Sequence, residues 1–270
     1  MNINQKETVS EILPNFILTD KTCEICHRKL KMFKMKVFGM IKEFPVTCQC
    51  RTNHLKKIKE KEALIEKKRR IERLFKQSRL GERFKNSCFE NYKINSETKF
   101  IFEKVTAYTR NFSENKKKSI LLSGPPGTGK TMLASSVVNS LLKKGIVSIF
   151  ISVPDLLSQI ITTYNSNSYK TETDILKGLT DCDLLVMDEI GIRKPKNDDS
   201  WTSEKLYQII NSRYANMKAT IFTTNCDLNE LSERLGLRTF TRIMEMTVGL
   251  TFDFEKAPDY RMISVLNSKE

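Results

Sequence analysis

From Thr98 to Phe254 the chain alternates between two kinds of apolar pattern. Short segments that are apolar at almost every position, Ile120–Leu122, Val147–Val153, Leu184–Met187 and Ala219–Thr223, read as strands. Between and before them, Thr98–Phe112, Thr131–Lys144, Asp155–Thr163, Glu172–Leu179 and Ser203–Asn216 read as helices, and two short helices then lead to a last strand, Leu250–Phe254. Continuous apolar runs suit strands covered on both faces, and helices alternating with them are the covers. This order predicts an α/β fold with a parallel sheet and crossover helices, in which ligands gather where the strands end.

The first 85 residues carry a different pattern. Ile12, Leu13, Phe16, Ile17 and Leu18 form an apolar patch broken by Pro14, which reads as a short helix able to dock on a partner. Lys29–Ile41 alternates Lys with Met, Val and Phe and reads as strand material. Arg51–Lys85 is rich in Lys, Glu, Arg, Leu and Ile, has no Pro and no Gly before Gly81, and reads as a long connecting helix with a narrow apolar stripe. The expected organisation is a module over 1–54, a helical linker over 55–85 and a nucleotide-binding domain over 86–270.

Charge sharpens this division. Of a net charge of +14, the first 85 residues hold +12, so a basic arm precedes a nearly neutral body. That arrangement suggests a phosphate-backbone or acidic-protein partner for the arm, or a solvated linker with none. Hydrophobic residues make up 39% of the 270, enough for a packed core, and no run reaches the length of a membrane span. The first residues lack the basic-then-apolar layout of a secretory signal, so the cytoplasm is the expected compartment and no membrane partner is expected.

The candidate chemistry is concentrated at Gly124-Pro125-Pro126-Gly127-Thr128-Gly129-Lys130-Thr131, followed by Met132. A strand, a glycine-rich turn with the spacing G-x4-G-K-T and a helix make a phosphate-binding loop. Its glycines let successive N–H groups turn inward, and the helix start aims its unpaired N–H groups at the same anion. Lys130 then reaches the terminal phosphates of ATP, and the Thr131 hydroxyl holds Mg²⁺. The strand Leu184–Met187 delivers Asp188 to the Mg²⁺ shell and Glu189 to the attacking water. Asn225, after the next strand, suits a polar sensor of that water or of the γ-phosphate, and Asn also favours helix and turn caps. Phe84, Phe89 and Tyr92 either line the base pocket or seal the core edge.

Four of the seven cysteines fall within 28 residues, as Cys23-x2-Cys26 and Cys48-x-Cys50. This spacing predicts a structural Zn²⁺ held by four thiolates, with His54 or His27 as the replacement for one of them. Four such ligands leave no open position for catalysis.

GPPGTGKT, LLVMDEIG, IFTTN, the Arg238/Arg242 pair in RTFTRIMEM and the closing DYRMI together resemble the AAA+ ATPases of the DnaC/DnaI helicase-loader group, with the transposition helper IstB as a relative. The likeness covers about residues 80–265, and the cysteine module with its basic helix looks like the front end of phage and bacterial loaders. The resemblance implies an AAA+ P-loop core without a helical lid domain, and a Mg²⁺-dependent ATPase stimulated by single-stranded DNA and by self-association. It makes Lys130 and Thr131 the phosphate and Mg²⁺ contacts, Asp188 the metal carboxylate, Glu189 the base, Asn225 the first sensor and Arg261 the second. Arg238 resembles the arginine finger given to a neighbouring subunit, with Arg242 as its rival. It also implies a hexameric replicative helicase as partner of the N-terminal region, and single-stranded DNA contacts near Tyr164, Tyr169, Lys170 and Trp201. IRKPKNDDSW is longer than its usual counterpart in the group. Two other readings share the site: an IstB-like transposition helper on duplex DNA, and an adaptor that binds nucleotide without hydrolysis and binds or inhibits a helicase.

Overall fold

The computed structural model of the chain describes residues 15–38, 40–74, 84–165, 170–192 and 199–267. It divides into two compact units, Met1–Lys67 and Lys68–Glu270.

In the first unit, β1 (Asn15–Thr22), β2 (Lys29–Val37) and β3 (Met40–Val46) form an antiparallel meander in the order β1-β2-β3. Phe16 pairs with Phe33, and Phe33 with Phe44. The Phe33 and Phe44 rings stack at 5.1 Å, and Phe16 meets Phe33 edge-on at 6.4 Å. Those cross-strand contacts account for a difference from the helix expected around Phe16–Leu18, which lie in β1: a helix formed locally has no aromatic partner to offer, whereas the adjacent hairpin supplies one. Ile12, Leu13 and Pro14 lie outside the described residues. After the meander, α1 (Gln49–Leu74) runs without interruption across position 54. Leu55, Ile58, Leu64 and Ile65 on it are exposed.

Beyond α1, the first elements described in the second unit are a single 3-10 turn, Phe89–Asn91, and α2 (Ser96–Arg110), whose N-cap Asn95 forms a capping box with Thr98. Then follow α3 (Phe112–Asn115), β4 (Ile120–Ser123), α4 (Lys130–Lys143), β5 (Ser148–Ser152), α5 (Val153–Thr162), α6 (Glu172–Asp181) and β6 (Leu184–Asp188). The rest are α7 (Asp199–Ala215), β7 (Ala219–Thr223), α8 (Leu228–Leu235), α9 (Leu237–Met246), β8 (Thr251–Asp253) and α10 (Tyr260–Asn267). The five strands are all parallel, in the order β5-β6-β7-β4-β8. The expected elements are all present, with ends moved by a few residues; α10 is an addition that its short sequence did not signal.

Every residue of β4, β6 and β7 is buried, because both faces are covered. Ile120, Leu122, Leu184, Val186 and Ile221 face α2 and α4, packing on Ile101, Val105, Leu133 and Val137. The alternate residues Leu121, Leu185, Met187 and Phe222 belong to the opposite core with Leu156, Ile160, Leu179, Ile209 and Leu231 from α5 to α8. Each such side chain contributes roughly 1.5–3 kcal/mol by leaving water.

At the edge where the strands begin, Arg213 of α7 is fully buried. Its guanidinium donates to Thr220 Oγ1 at 2.9 Å, to the Leu179 carbonyl at 2.5 Å, and to the Ala219 and Cys182 carbonyls. Leu179 lies in the last turn of α6, where the negative end of the helix dipole favours a cation. Arg213→Leu is expected to strand these carbonyls, costing about 3 kcal/mol and lowering Tm by roughly 10 °C. Calorimetry showing an unchanged Tm would mean that the carbonyls find other partners.

Candidate nucleotide site

The sheet edge where the strands end carries a cavity of about 300 Å³. On one side it is lined by Pro126, Gly127, Thr128 and Gly129 of the turn after β4 and by Lys130, Thr131 and Met132 at the start of α4. Gly124 stands at φ +126°, and a Cβ there would come within 2.9 Å of the Phe254 backbone. At Gly127, φ is +81° and a Cβ would collide with the Asp259 carboxylate at 1.9 Å. Glycine is therefore required at both, by conformation and by space.

Lys130 is 5% exposed. Its Nζ donates to the Gly124 and Pro125 carbonyls, each at 2.6 Å, and lies 3.3 Å from Thr128 Oγ1. Burial disfavours the charged form and brings its pKa down to about 8, against the pull of Asp188. A phosphate oxygen is a stronger, charge-assisted acceptor than these carbonyls, so an anion in the loop takes over the ammonium and favours its charge.

Behind the loop, Thr131 Oγ1 donates to Asp188 Oδ1 at 3.1 Å, and Thr223 Oγ1 donates to the same oxygen. Burial raises the Asp188 pKa and these two donors oppose the rise. A hydroxyl and a carboxylate side by side next to the phosphate loop are the oxygen donors that a hard cation such as Mg²⁺ takes. Glu189 follows at φ +59°, half-buried, and lines the cavity with Thr223, Asn225 and Arg261. Asn225 is exposed at the cavity and is no helix cap: Asp227 caps α8, accepting the Glu230 N–H at 2.8 Å.

The far wall is made by Phe84, Ser87, Asn91, Tyr92, Lys93 and Tyr260. Of the three aromatics left open between base pocket and core edge, Phe84 and Tyr92 line the cavity. Tyr92 is also buried in the core, stacked on Phe102 at 5.4 Å, and half-buried Phe89 packs edge-on against the same ring at 5.9 Å without lining the cavity. Tyr260 ties this wall to the loop: its N–H donates to the Gly127 carbonyl at 3.0 Å, its hydroxyl donates to the Lys93 carbonyl at 2.9 Å and accepts from Asn95 Nδ2 at 3.1 Å. The DYRMI segment draws attention to Arg261, and nothing in it marks the neighbouring tyrosine as the tie.

Arg238 and Arg242 do not line the cavity. Both stand over the Tyr207 ring, at 4.5 and 4.8 Å, and Arg242 also over Tyr214 at 5.6 Å. Arg238 is exposed, whereas Arg242 is half-buried. Tyr164 and Trp201 meet edge-on at 6.4 Å, with the Tyr164 hydroxyl donating to Glu172 at 2.8 Å. Tyr164 is 57% exposed, Trp201 packs partly on the core, Lys170 is half-buried just before α6, and Tyr169 lies outside the described residues.

In the first unit, the turn after β1 and the start of α1 bring Cys23, Cys26, Cys48 and Cys50 together, with sulfurs within 4.8 Å of one another. The Cys23–Cys50, Cys26–Cys48 and Cys48–Cys50 sulfurs are 3.3, 3.5 and 3.2 Å apart. A tetrahedral Zn²⁺ with bonds of ~2.3 Å needs about 3.8 Å between sulfurs, so a slight expansion admits the ion. Backbone N–H groups of Cys26 and Ile25 bring the Cys23 pKa down to about 6 and that of Cys50 lowers Cys48, which favours thiolates at these two, while the neighbouring sulfurs of Cys48 and Cys23 push the Cys50 thiol up. Neither histidine belongs to this group.

Among the described residues no helix is long and apolar enough to cross a membrane. Residues 47–246 match the family of IstB-like ATP binding proteins. The replicative helicase loader DnaC of Buchnera aphidicola subsp. Baizongia pistaciae is 33% identical over 72% of this chain and 79% of its own length. That of Escherichia coli (strain K12) is 32% identical over 64% of this chain and 69% of its own. The crystal structure of the DnaC helicase loader superposes with a TM-score of 0.56 at 27% identity, covering 64% of this chain and 99% of that one. With a five-stranded parallel AAA+ sheet, the chain belongs to the IstB-like ATP-binding family, as a DnaC-type member.

Proposed function

We propose that the chain is an ATP-hydrolysing helicase loader. It binds a hexameric replicative helicase through residues 1–85 and single-stranded DNA through its AAA+ domain, and hydrolysis releases the complex. The observation that carries the reading is the convergence of Lys130, the Thr131–Asp188 pair, Glu189, Asn225 and Arg261 on one cavity. ATP occupies that cavity with its phosphates in the loop. Thr131 and Asp188 would hold Mg²⁺, which would offset the charge of the phosphates. Glu189 takes the proton of the attacking water, which Asn225 holds, and Arg261 meets the γ-phosphate. Arg238, exposed on α9, completes the site of a neighbouring subunit. The edge-to-face pair of exposed Tyr164 and half-buried Trp201, with Tyr169 and Lys170, stacks on bases and contacts phosphate.

The test uses the full chain with purified hexameric helicase and a labelled single strand. A helicase–chain complex that forms with ATP and dissociates on hydrolysis is expected. Binding of duplex DNA with no capture of helicase would instead favour the transposition-helper reading, and ATP binding without turnover would favour the adaptor.

The cysteine cluster is read as a zinc site that folds the first unit. Purified protein is expected to carry about one Zn²⁺ per chain. Chelation should unfold that unit and abolish helicase capture while nucleotide binding persists, because metal binding and folding are linked. Elemental analysis finding no zinc would remove the metal from the account.

A further inference from the structure

We propose that Thr223 is a positioning residue for both carboxylates of the nucleotide edge, so that the end of β7 determines where Glu189 points. The proposal rests on the reading of the chain as an ATPase and deepens it.

Thr223 closes β7 and is 2% exposed. A hydroxyl has one proton to donate and lone pairs to accept with, and here both capacities are committed. The proton goes to Asp188 Oδ1, and the Glu189 N–H donates back to Thr223 Oγ1 at 3.1 Å. The Thr223 carbonyl accepts the Ile190 N–H at 2.9 Å. One residue thus holds the carboxylate of one acid and the backbone of the next.

Glu189 needs such a hold. Its φ of +59° lies in the left-handed region, which residues bearing a side chain rarely adopt and which persists only where the surroundings impose it. The rest of the turn is fastened from the same side. Thr224 Oγ1 donates to the Ile190 carbonyl at 2.8 Å, and Arg234 donates to the Gly191 carbonyl at 2.6 Å. A Cβ on Gly191 would come within 2.8 Å of Leu231, so the turn sits directly on α8. Asn225, at the cavity, belongs to the segment that does the fastening. A shift of that segment therefore moves the general base along with it.

A hydroxyl that served only to satisfy buried polar groups would have the same neighbours, so the test separates the two roles. Thr223→Val keeps the shape and removes both hydrogen bonds, Thr223→Ala removes them with less bulk to misplace, and Thr223→Ser keeps them. Steady-state ATP hydrolysis, affinity for a fluorescent ATP analogue without Mg²⁺, and Tm are measured for the full chain and each variant. Loss of an outer partner of this kind costs about 10–100-fold. The expected result is a kcat lowered by that factor in the Val and Ala variants, nucleotide affinity within about threefold of the unsubstituted chain, and recovery of at least half the kcat in the Ser variant. The proposal is overturned if Thr223→Ala and Thr223→Val keep full kcat, if Thr223→Ser is as impaired as they are, or if affinity, Tm and kcat fall together in all three. An unsubstituted chain that binds ATP and does not hydrolyse it overturns the ATPase reading itself, before any variant is compared.

Discussion

Glu189→Gln is expected to bind ATP about as tightly as the unsubstituted chain and to hydrolyse it at least ~10²-fold more slowly. The amide has nearly the shape of the carboxylate, and the contact that holds the residue, its N–H to Thr223 Oγ1, belongs to the backbone and survives the change. Lys130 and the Thr131–Asp188 pair, the groups proposed to meet the phosphates and Mg²⁺, are untouched. What is lost is the ability to take a proton. Affinity and single-turnover hydrolysis measured on the same preparation check this, and full turnover by the variant would remove Glu189 from the role. Lys130→Ala makes the contrast, because it removes a charge from the ground-state complex and should weaken binding itself.

The second large effect belongs to Arg238. A finger in trans is worth ~10³–10⁵ in rate, roughly 4–7 kcal/mol, since it meets charge that develops on the γ-phosphate. The structure separates the two candidates physically: Arg238 is exposed over one face of Tyr207, while Arg242 is half-buried against Tyr207 and Tyr214. An arginine that must enter a neighbour's site has to be free to leave its own surface, which favours Arg238. Turnover per subunit should rise with protein concentration, and Arg238→Ala should lose the rise while keeping nucleotide affinity. Mixing decides the matter. Arg238→Ala supplies a complete base and Glu189→Gln supplies a finger, so two inactive proteins should restore part of each other's activity. If folded, associating variants stay inactive when mixed, the role passes to Arg242.

The nucleotide edge is legible in the sequence because its parts are local. A phosphate loop is one stretch of backbone, and a strand delivers whatever residue follows its apolar run to the same rim of the sheet. What escapes a linear reading is the set of ties between stretches distant in the chain. Tyr260 joins Gly127 to Lys93 across more than a hundred residues, and Thr223 joins β7 to Asp188 and Glu189. Tyrosine and threonine are common at such places for packing alone, so their identity carries no signal until the partners are in view. Arg213 escapes for the opposite reason. A charged residue on a helix reads as surface, and only the convergence of several carbonyls at one point makes its burial tolerable. The cysteines are the intermediate case: spacing picks out the four thiols, and the fold removes the two histidines.

One feature of α1 reaches beyond the module in which it starts. Few of its described side chains are buried, so tertiary packing does little to sustain its 26 residues, and a solvated helix of that kind depends on how easily its first turn is nucleated. That turn contains Cys50, two residues after Cys48, and holds no carboxylate, so the sulfur cluster lies at the pole of the helix that favours negative charge. At the other pole the sequence reads KKRRIERL, cations where the dipole is negative. Both ends are thus matched to the direction of the backbone, and the cost of initiation is met at the sulfur cluster. The helicity of α1 is then governed by an equilibrium at one end of it.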